Sequence, residues 1–189
     1  MNKNAINRIF SRIPKLNTPR LVLRRMEPSD AQDMFEYACR ADVTKYLTWY
    51  PHTSVHYTRD YLEYLEGKYA TGDFFDWAIT LRENGKMIGT CGFTRFDFEN
   101  DSAEVGYVLN PDYRGHEIIP EALHAVMRFG FENLLLNRIE AHYIVGNDAS
   151  RRVMEKMGMR FEGVARGSML IKGQYRDIGK CAVLADEFR

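Results

Sequence analysis

Residues 102–145 constrain the fold more than any other part of the chain. SAEVGYVL (102–109) alternates apolar and polar residues as a strand does, and NPDYRG makes a turn. PEALHAVMRFGFENL follows as a helix, with proline in its first turn, where a missing N–H costs nothing. NRIEAHYIV (137–145) is a strand again. Strand, helix and strand in so short a span form a crossover, which makes the two strands parallel neighbours. Just upstream, WAITLRENGKMIGTCGFTRF (77–96) reads as a hairpin turning at Glu83-Asn84-Gly85, since Asn and Gly tolerate positive φ. The strand at 102–109 extends that meander. One parallel pair is therefore expected inside an otherwise antiparallel sheet. Such a pair tends to splay, and a cleft at its ends is a natural binding site.

The remaining segments fill in around this pair. LVLRRME (21–27) is a strand, and Ser29 or Asp30 caps a helix carrying Ala31, Met34, Phe35 and Ala38 on one face. Residues 58–70 form a second helix, and the aromatic loop TKYLTWYPH lies between the two. NDASRRVMEKMG is a helix capped by Asn147 or Asp148 and stopped by Gly158, and two strands around a Gly-rich turn close the chain. The class is α+β, a single domain over 17–189 behind a lead-in at 1–16. Lys plus Arg balance Asp plus Glu at 26 each, which argues against a nucleic-acid or membrane-surface binder. Three widely spaced cysteines and no CxxC favour a reducing compartment, and five scattered histidines lack metal-ligand spacing, so no metal is expected. With no signal-like start and no membrane-length apolar run, a cytoplasmic location is expected.

RGHEII (114–119) links the strand at 102–109 to the helix. Free N–H groups there, the helix dipole and Arg114 suit an anion. The loop lacks both the P-loop and the dinucleotide glycine patterns, so on the residues alone an ordinary strand-to-helix turn is the preferred reading over an anion site.

TPRLVLRRMEPSDA, IGTCGF, AEVGYVLNPDYRG, NDASRRVMEKMGMRFEG and GQYRD (173–177), in that order, resemble the GNAT superfamily of N-acetyltransferases. The likeness covers about residues 17–185 and is greatest to the branch with the ribosomal-protein N-terminal alanine and serine acetyltransferases. It implies a mixed, mostly antiparallel sheet in which the fourth and fifth strands, 102–109 and 137–145, splay around acetyl-coenzyme A. The pantetheine arm would run beside Tyr107, Val108 and Leu109. The pyrophosphate would sit on Arg114, Gly115, His116, Glu117, Ile118 and Ile119. Asn147 would orient the pantetheine or the thiol. Ser150 would assist the leaving thiolate, since Met154 stands where many members place a tyrosine. Two positions depart from the family loop: Glu117 replaces a glycine and Ile119 a small residue. A carboxylate beside a pyrophosphate motivates a second expectation, a coenzyme A, acyl-coenzyme A or partner-binding protein of the same fold without turnover.

Acetyl transfer needs a neutral amine, a donor for the thioester oxygen and help for the departing thiolate. Glu104 is the first candidate base, or else a solvated carboxylate paired with Arg95. Glu140, His142 and His116 also carry titratable groups, and strand alternation alone does not fix which way Glu140 faces. Asp76 is a candidate for holding a substrate ammonium, and Trp49 and Trp77 for the wall of the acceptor pocket or for core packing. Cys91 has no base partner, so a covalent route is not expected. The acceptor is a protein N-terminus or a small amine, and a homodimer is possible.

Overall fold

The computed structural model describes residues 2–188, so Met1 and Arg189, the outer bounds of the two expected segments, lie outside the described residues. In chain order the elements are α1 (Lys3–Phe10), β1 (Leu16–Asn17), β2 (Leu21–Arg24), α2 (Ala31–Ala38), α3 (Ala41–Thr44) and α4 (Val55–Thr71). Then come β3 (Asp76–Leu81), β4 (Met87–Asp97), β5 (Ser102–Leu109), α5 (Ile118–Glu132), β6 (Arg138–Ile144), α6 (Asp148–Lys156), β7 (Arg160–Ile171) and β8 (Gln174–Leu184). The strands make one eight-stranded sheet in the order β1-β2-β3-β4-β5-β6-β8-β7. The pair β5–β6 is parallel and every other pairing is antiparallel, the arrangement expected from the crossover.

The parallel ladder is short. It runs from Ser102 opposite Arg138 to Val105 opposite Ala141 and stops. Beyond it, β5 stays with β4 as far as Leu109, and β6 stays with β8 as far as Ile144. Each strand follows its antiparallel partner, and the sheet opens between them.

Alternation along the strands assigns the two faces. Trp77, Ile79, Cys91, Phe93, Val105 and Ile139 point into a core covered by α5, through Ala122, Leu123, Val126 and Met127. The other face is covered by α2 and α4 only over β3 and β4, where Met34, Tyr37, Leu62 and Leu65 meet Ala78. Over β5 and β6 that face stays open.

Three local readings are corrected. The hairpin turn is longer than a tight Asn-Gly turn, and of that pair only Gly85 takes a positive φ, +73°. The start of α2 is held by ion pairing rather than a simple side-chain cap. Buried Asp30 takes both terminal nitrogens of Arg24, at 2.8 and 2.6 Å, and accepts from the Glu27 N–H at 2.9 Å. The lead-in is the largest correction. Its helix α1 is capped by Asn2, and Ile6 and Phe10 are buried. Phe10 meets Phe75 and Trp77 edge-on at 5.0 and 5.4 Å between ring centroids. The indole N–H of Trp77 donates to Pro14 O at 2.7 Å, so this segment lines the core. No described helix is long and apolar enough to cross a membrane.

Phe10→Ala should remove about 3–5 kcal/mol of stability, as expected for truncating a fully buried aromatic side chain. Denaturant unfolding of the two proteins checks this. A change under about 1 kcal/mol would return residues 1–16 to the role of a lead-in.

Candidate active site

The gap between β5 and β6 opens into a cavity of about 750 Å³, the larger of two described. Its floor is the open sheet face, with Asp76, Thr90, Thr94, Glu104, Gly106 and His142. One wall is aromatic, with Tyr37, Trp49, His52 and Tyr61. The other end holds Tyr107, Asn147, Ser150 and Met154, where α6 meets β5.

At that end α6 starts with Asn147 as its N-cap, its side chain accepting from the Ser150 N–H at 3.3 Å. This is the capping role a residue of its type plays at a helix start. It fixes Ser150 in the first turn, facing the cavity. The Tyr107 hydroxyl lies 2.9 Å from Ser150 Oγ and 3.0 Å from Ser150 O. Burial pushes the Tyr107 phenol up, against the pull of its bond to Ser150, so it remains protonated. The family resemblance implies a role only for the backbone of Tyr107, and Met154 has no hydroxyl to offer at the position of the family's tyrosine. The side chain of Tyr107 supplies a hydroxyl at the same end of the cleft, reached from β5 rather than from α6. Met154 is buried.

On the floor, Glu104, Glu140 and His142 stand together. His142 Nδ1 lies 3.3 Å from Glu104 Oε1, and Nε2 lies 3.6 Å from Glu140 Oε1. Glu104 is therefore not paired with Arg95, although the two are cross-strand partners. Arg95 reaches across to Glu140 at 3.5 Å, and Arg138 also holds Glu140 at 3.3 Å. Burial acts to raise the Glu104 carboxyl, but its hydrogen bond to His142 and the nearby positive charge win, leaving it below the ordinary range. It is ionised near neutral pH. These three side chains place ligand atoms within 4.8 Å of one another, a proximity that histidine spacing does not reveal. The two arginines on Glu140 already neutralise it, which opposes a cation there.

The loop after β5 takes the strand-to-helix form. Gly115 and Glu117 both have positive φ, +80° and +58°, around His116. The first turn of α5 begins at Ile118, before Pro120, and Glu121 N–H is the first to bond back, to Glu117 O at 3.2 Å. The N–H groups of residues 115–119 find no backbone acceptor. Arg20 braces the loop from outside, donating to His116 O at 2.8 Å and pairing with Glu121 at 2.6 Å. Glu117 itself adopts the left-handed conformation that a glycine takes without cost. Its carboxylate is bound by Lys156 of α6 at 2.6 Å, with both side chains exposed. Ile118 and Ile119 are buried in the core, so their side chains do not approach a ligand.

Two expected acceptor residues separate. Trp49 lines the cavity beside His52, with ring centroids 5.3 Å apart. Trp77 does not line it, because alternation turns it onto the opposite face, where it is 0% exposed. Asp76, its neighbour, does face the cavity. Cys91 is buried, and burial pushes its thiol well up, so it offers no thiolate.

The chain's residues 20–160 match the family model of the acetyltransferase (GNAT) domain. The chain belongs to the GNAT family. It is 34% identical over 92% of its length, and 97% of the relative's, to an uncharacterized N-acetyltransferase p20 of Bacillus licheniformis. It is 28% identical over 88% of its length, and 90% of the relative's, to the ribosomal protein uS5-alanine N-acetyltransferase of Escherichia coli. A crystal structure of a GNAT acetyltransferase from Bacillus anthracis superposes with a TM-score of 0.82 at 28% identity, covering 92% of this chain and all of the other. N-acetylation that draws on acetyl-coenzyme A is general for this family, and the chain is such an acetyltransferase.

Burial pushes the Asp76 carboxyl up to about 7, against the Trp77 N–H and the Thr90 side chain, which favour its charged form. In the unfolded chain it ionises near the ordinary value of about 4. Between those two values the folded protein holds a proton that the unfolded chain has lost, so rising pH costs stability, at most about 1.4 kcal/mol per unit. The thermal midpoint of Asp76→Asn minus that of the wild type should therefore grow as the pH rises from about 4 to about 7. A constant difference would contradict this environment for Asp76.

Proposed function

We propose that the chain transfers the acetyl group of acetyl-coenzyme A to a primary amine by direct attack in a ternary complex. The observation that carries this reading is that β5 parts from β6 after Val105 in the same cavity that gathers Glu104, Tyr107, Asn147 and Ser150. Past Val105, the edge of β5 facing β6 has no strand partner. An extended pantetheine arm would pair along Tyr107, Val108 and Leu109 as a strand would, and a backbone N–H near Val108 would face the thioester oxygen.

The residues then divide the work. The amine nitrogen attacks the thioester carbon, and the carbonyl oxygen takes the charge. Glu104, ionised and held by His142, accepts the proton that the nitrogen sheds, directly or through a water. As the intermediate collapses, the carbon–sulfur bond breaks and the sulfur takes the electron pair. Ser150 then donates a hydrogen bond to the thiolate and keeps its proton, which stabilises the charge on sulfur until the thiol takes a proton from solvent. Tyr107 makes that possible by hydrogen accounting. Ser150 O can only accept, so when Tyr107 donates to it, the Ser150 hydroxyl proton points at Tyr107. When Tyr107 swings its proton to Ser150 Oγ, the serine proton is free to turn to the sulfur. Asn147 keeps Ser150 in place by capping the helix. The pyrophosphate would rest on the N–H groups from Gly115 to Ile119, with Arg114 and His116 beside it.

The departure at Glu117 supports coenzyme binding without turnover less than it did from sequence. Its carboxylate faces Lys156 across the loop, so the local charge is balanced. The acceptor is a protein N-terminus or a small amine; the Escherichia coli relative is named for an alanine of ribosomal protein uS5.

Steady-state assays on the wild type, Ser150→Ala, Tyr107→Phe and Glu104→Gln test the division of labour. Ser150→Ala and Glu104→Gln should each lower kcat by about 10²-fold or more, and Tyr107→Phe by about tenfold. All three should keep the KM for acetyl-coenzyme A within a few fold. A Ser150→Ala enzyme with unchanged kcat would remove Ser150 from the chemistry and leave it a capping residue.

A further inference from the structure

The arm of the cavity that ends at Asp76 takes no part in the mechanism above, and its chemistry is unusual. The Asp76 carboxyl has no cationic partner among the described residues, and no lysine or arginine lines the cavity. The groups packed around it are neutral. Tyr37 comes from α2, Tyr61 and Tyr69 from α4, and Thr90 and the Cys91 thiol from β4. His52 nearby is lowered by burial, which keeps it uncharged. Tyr37 is the second sign. Its side chain is 0% exposed and lines the same cavity, yet its hydroxyl has no hydrogen-bond partner. A buried unpaired hydroxyl loses its hydrogen bonds to water without replacement, so its retention asks for an explanation.

The row from Asp76 toward the reacting end crosses two glycines. Asp76 pairs with Gly92 on β4, and Gly92 pairs with Gly106 on β5. Alternation puts all three on the open face. A side chain at Gly92 would sit 2.4 Å from Asp76 Cα, and one at Gly106 would sit 2.8 Å from Thr94 Cγ2. Neighbouring atoms close over Gly92, while Asp76 and Gly106 both line the cavity, two strand spacings or roughly 10 Å apart. The row runs from one carboxylate, Asp76, to the neighbourhood of another, Glu104.

We propose that Asp76 and the Tyr37 hydroxyl form a subsite for a second ammonium on the acceptor, which makes the acceptor class a small primary diamine whose chain runs along the cavity from Asp76 toward Gly106. This rests on the acetyl-transfer reading for the fate of the first amine. An ammonium in the subsite gives the Asp76 carboxylate the cationic partner it lacks and gives the unpartnered Tyr37 oxygen a donor. Tyr61 and Trp49 stand in the same cavity wall. A monoamine of equal length leaves Asp76 and Tyr37 as they are. An acceptor with a carboxylate in this arm meets only negative charge.

The test is calorimetric titration with cadaverine against n-pentylamine, which share a five-carbon chain. Each is titrated with and without coenzyme A, into the wild type, Asp76→Asn and Tyr37→Phe, with circular dichroism to check folding. In the wild type, cadaverine should bind at least about tenfold tighter than pentylamine in one of the two states. The preference should fall to within about twofold in Asp76→Asn and should shrink in Tyr37→Phe, which also serves if Asp76→Asn does not fold. Equal binding of the two amines, no binding of either, or a preference that survives both substitutions would overturn the subsite. Binding is read without turnover, so a protein that selects cadaverine through Asp76 but never acetylates it would sink the transfer reading alone. Equal kcat/KM for both amines in wild type and Asp76→Asn would sink the subsite alone.

Discussion

The site depends on a ladder that ends early. β5 and β6 are parallel neighbours for only four residue pairs, from Ser102–Arg138 to Val105–Ala141. Each then stays with a stronger antiparallel partner, β4 or β8. The crossover through α5 forces the strands side by side, and right-handed twist carries them apart once the ladder stops. Close contacts hold the divergence on both sides. A Cβ at Gly89 would lie 2.2 Å from Val108 O, and one at Gly179 would lie 2.3 Å from the Tyr143 ring. Glycine at these positions lets β4 sit tight against β5, and β8 under Tyr143. The opening at Gly106 gives the cavity its depth and leaves strand backbone exposed for a ligand to pair with.

On the two rims of that opening the chain sets complementary chemistry. One rim is α6, where the cap residue Asn147 also anchors Ser150, the serine proposed to meet the leaving thiolate. The other is the sheet floor, where His142 sits between Glu104 and Glu140, and two arginines take up the second carboxylate. That asymmetry leaves Glu104 as the carboxylate open to the cleft. The loop at 114–119 sits beyond the rim, braced by Arg20 against α5.

Much of this was legible in the chain. The order of the main elements from β2 onward, though not α1, β1 or α3, the parallel pair, and a cap at Asn147 or Asp148 beside Ser150 follow from turn chemistry and periodicity, which are local. What escaped was non-local. Strand alternation says that Asp76 and Trp77 face opposite ways, but only the packing of α1 and α5 says which face is the core. Tyr107 could be placed on a strand, yet its hydroxyl reaches Ser150 across the splay, a contact between segments far apart in sequence. The pairing of Glu104 with His142 rather than Arg95 depends on how far each side chain leans over a twisted sheet. The helix α1 did leave a signal. Ile6, Ile9, Phe10 and Ile13 recur at helical spacing, with Asn2 as a cap, and that stripe is the one packed against the core. Glu117 was read as an obstacle, because its partner Lys156 lies on another helix.

The most direct test of the central claim is calorimetric titration of acetyl-coenzyme A into the wild type, Glu117→Gly and Lys156→Ala. The account predicts micromolar binding to the wild type. It predicts tighter binding to Glu117→Gly, which loses the carboxylate and the left-handed strain while freeing Lys156, and weaker binding to Lys156→Ala, which leaves Glu117 unpaired beside the phosphates. No detectable binding to the wild type, with Glu117→Gly no better, would contradict a coenzyme seated between β5 and β6 on the loop from Arg114 to Ile119.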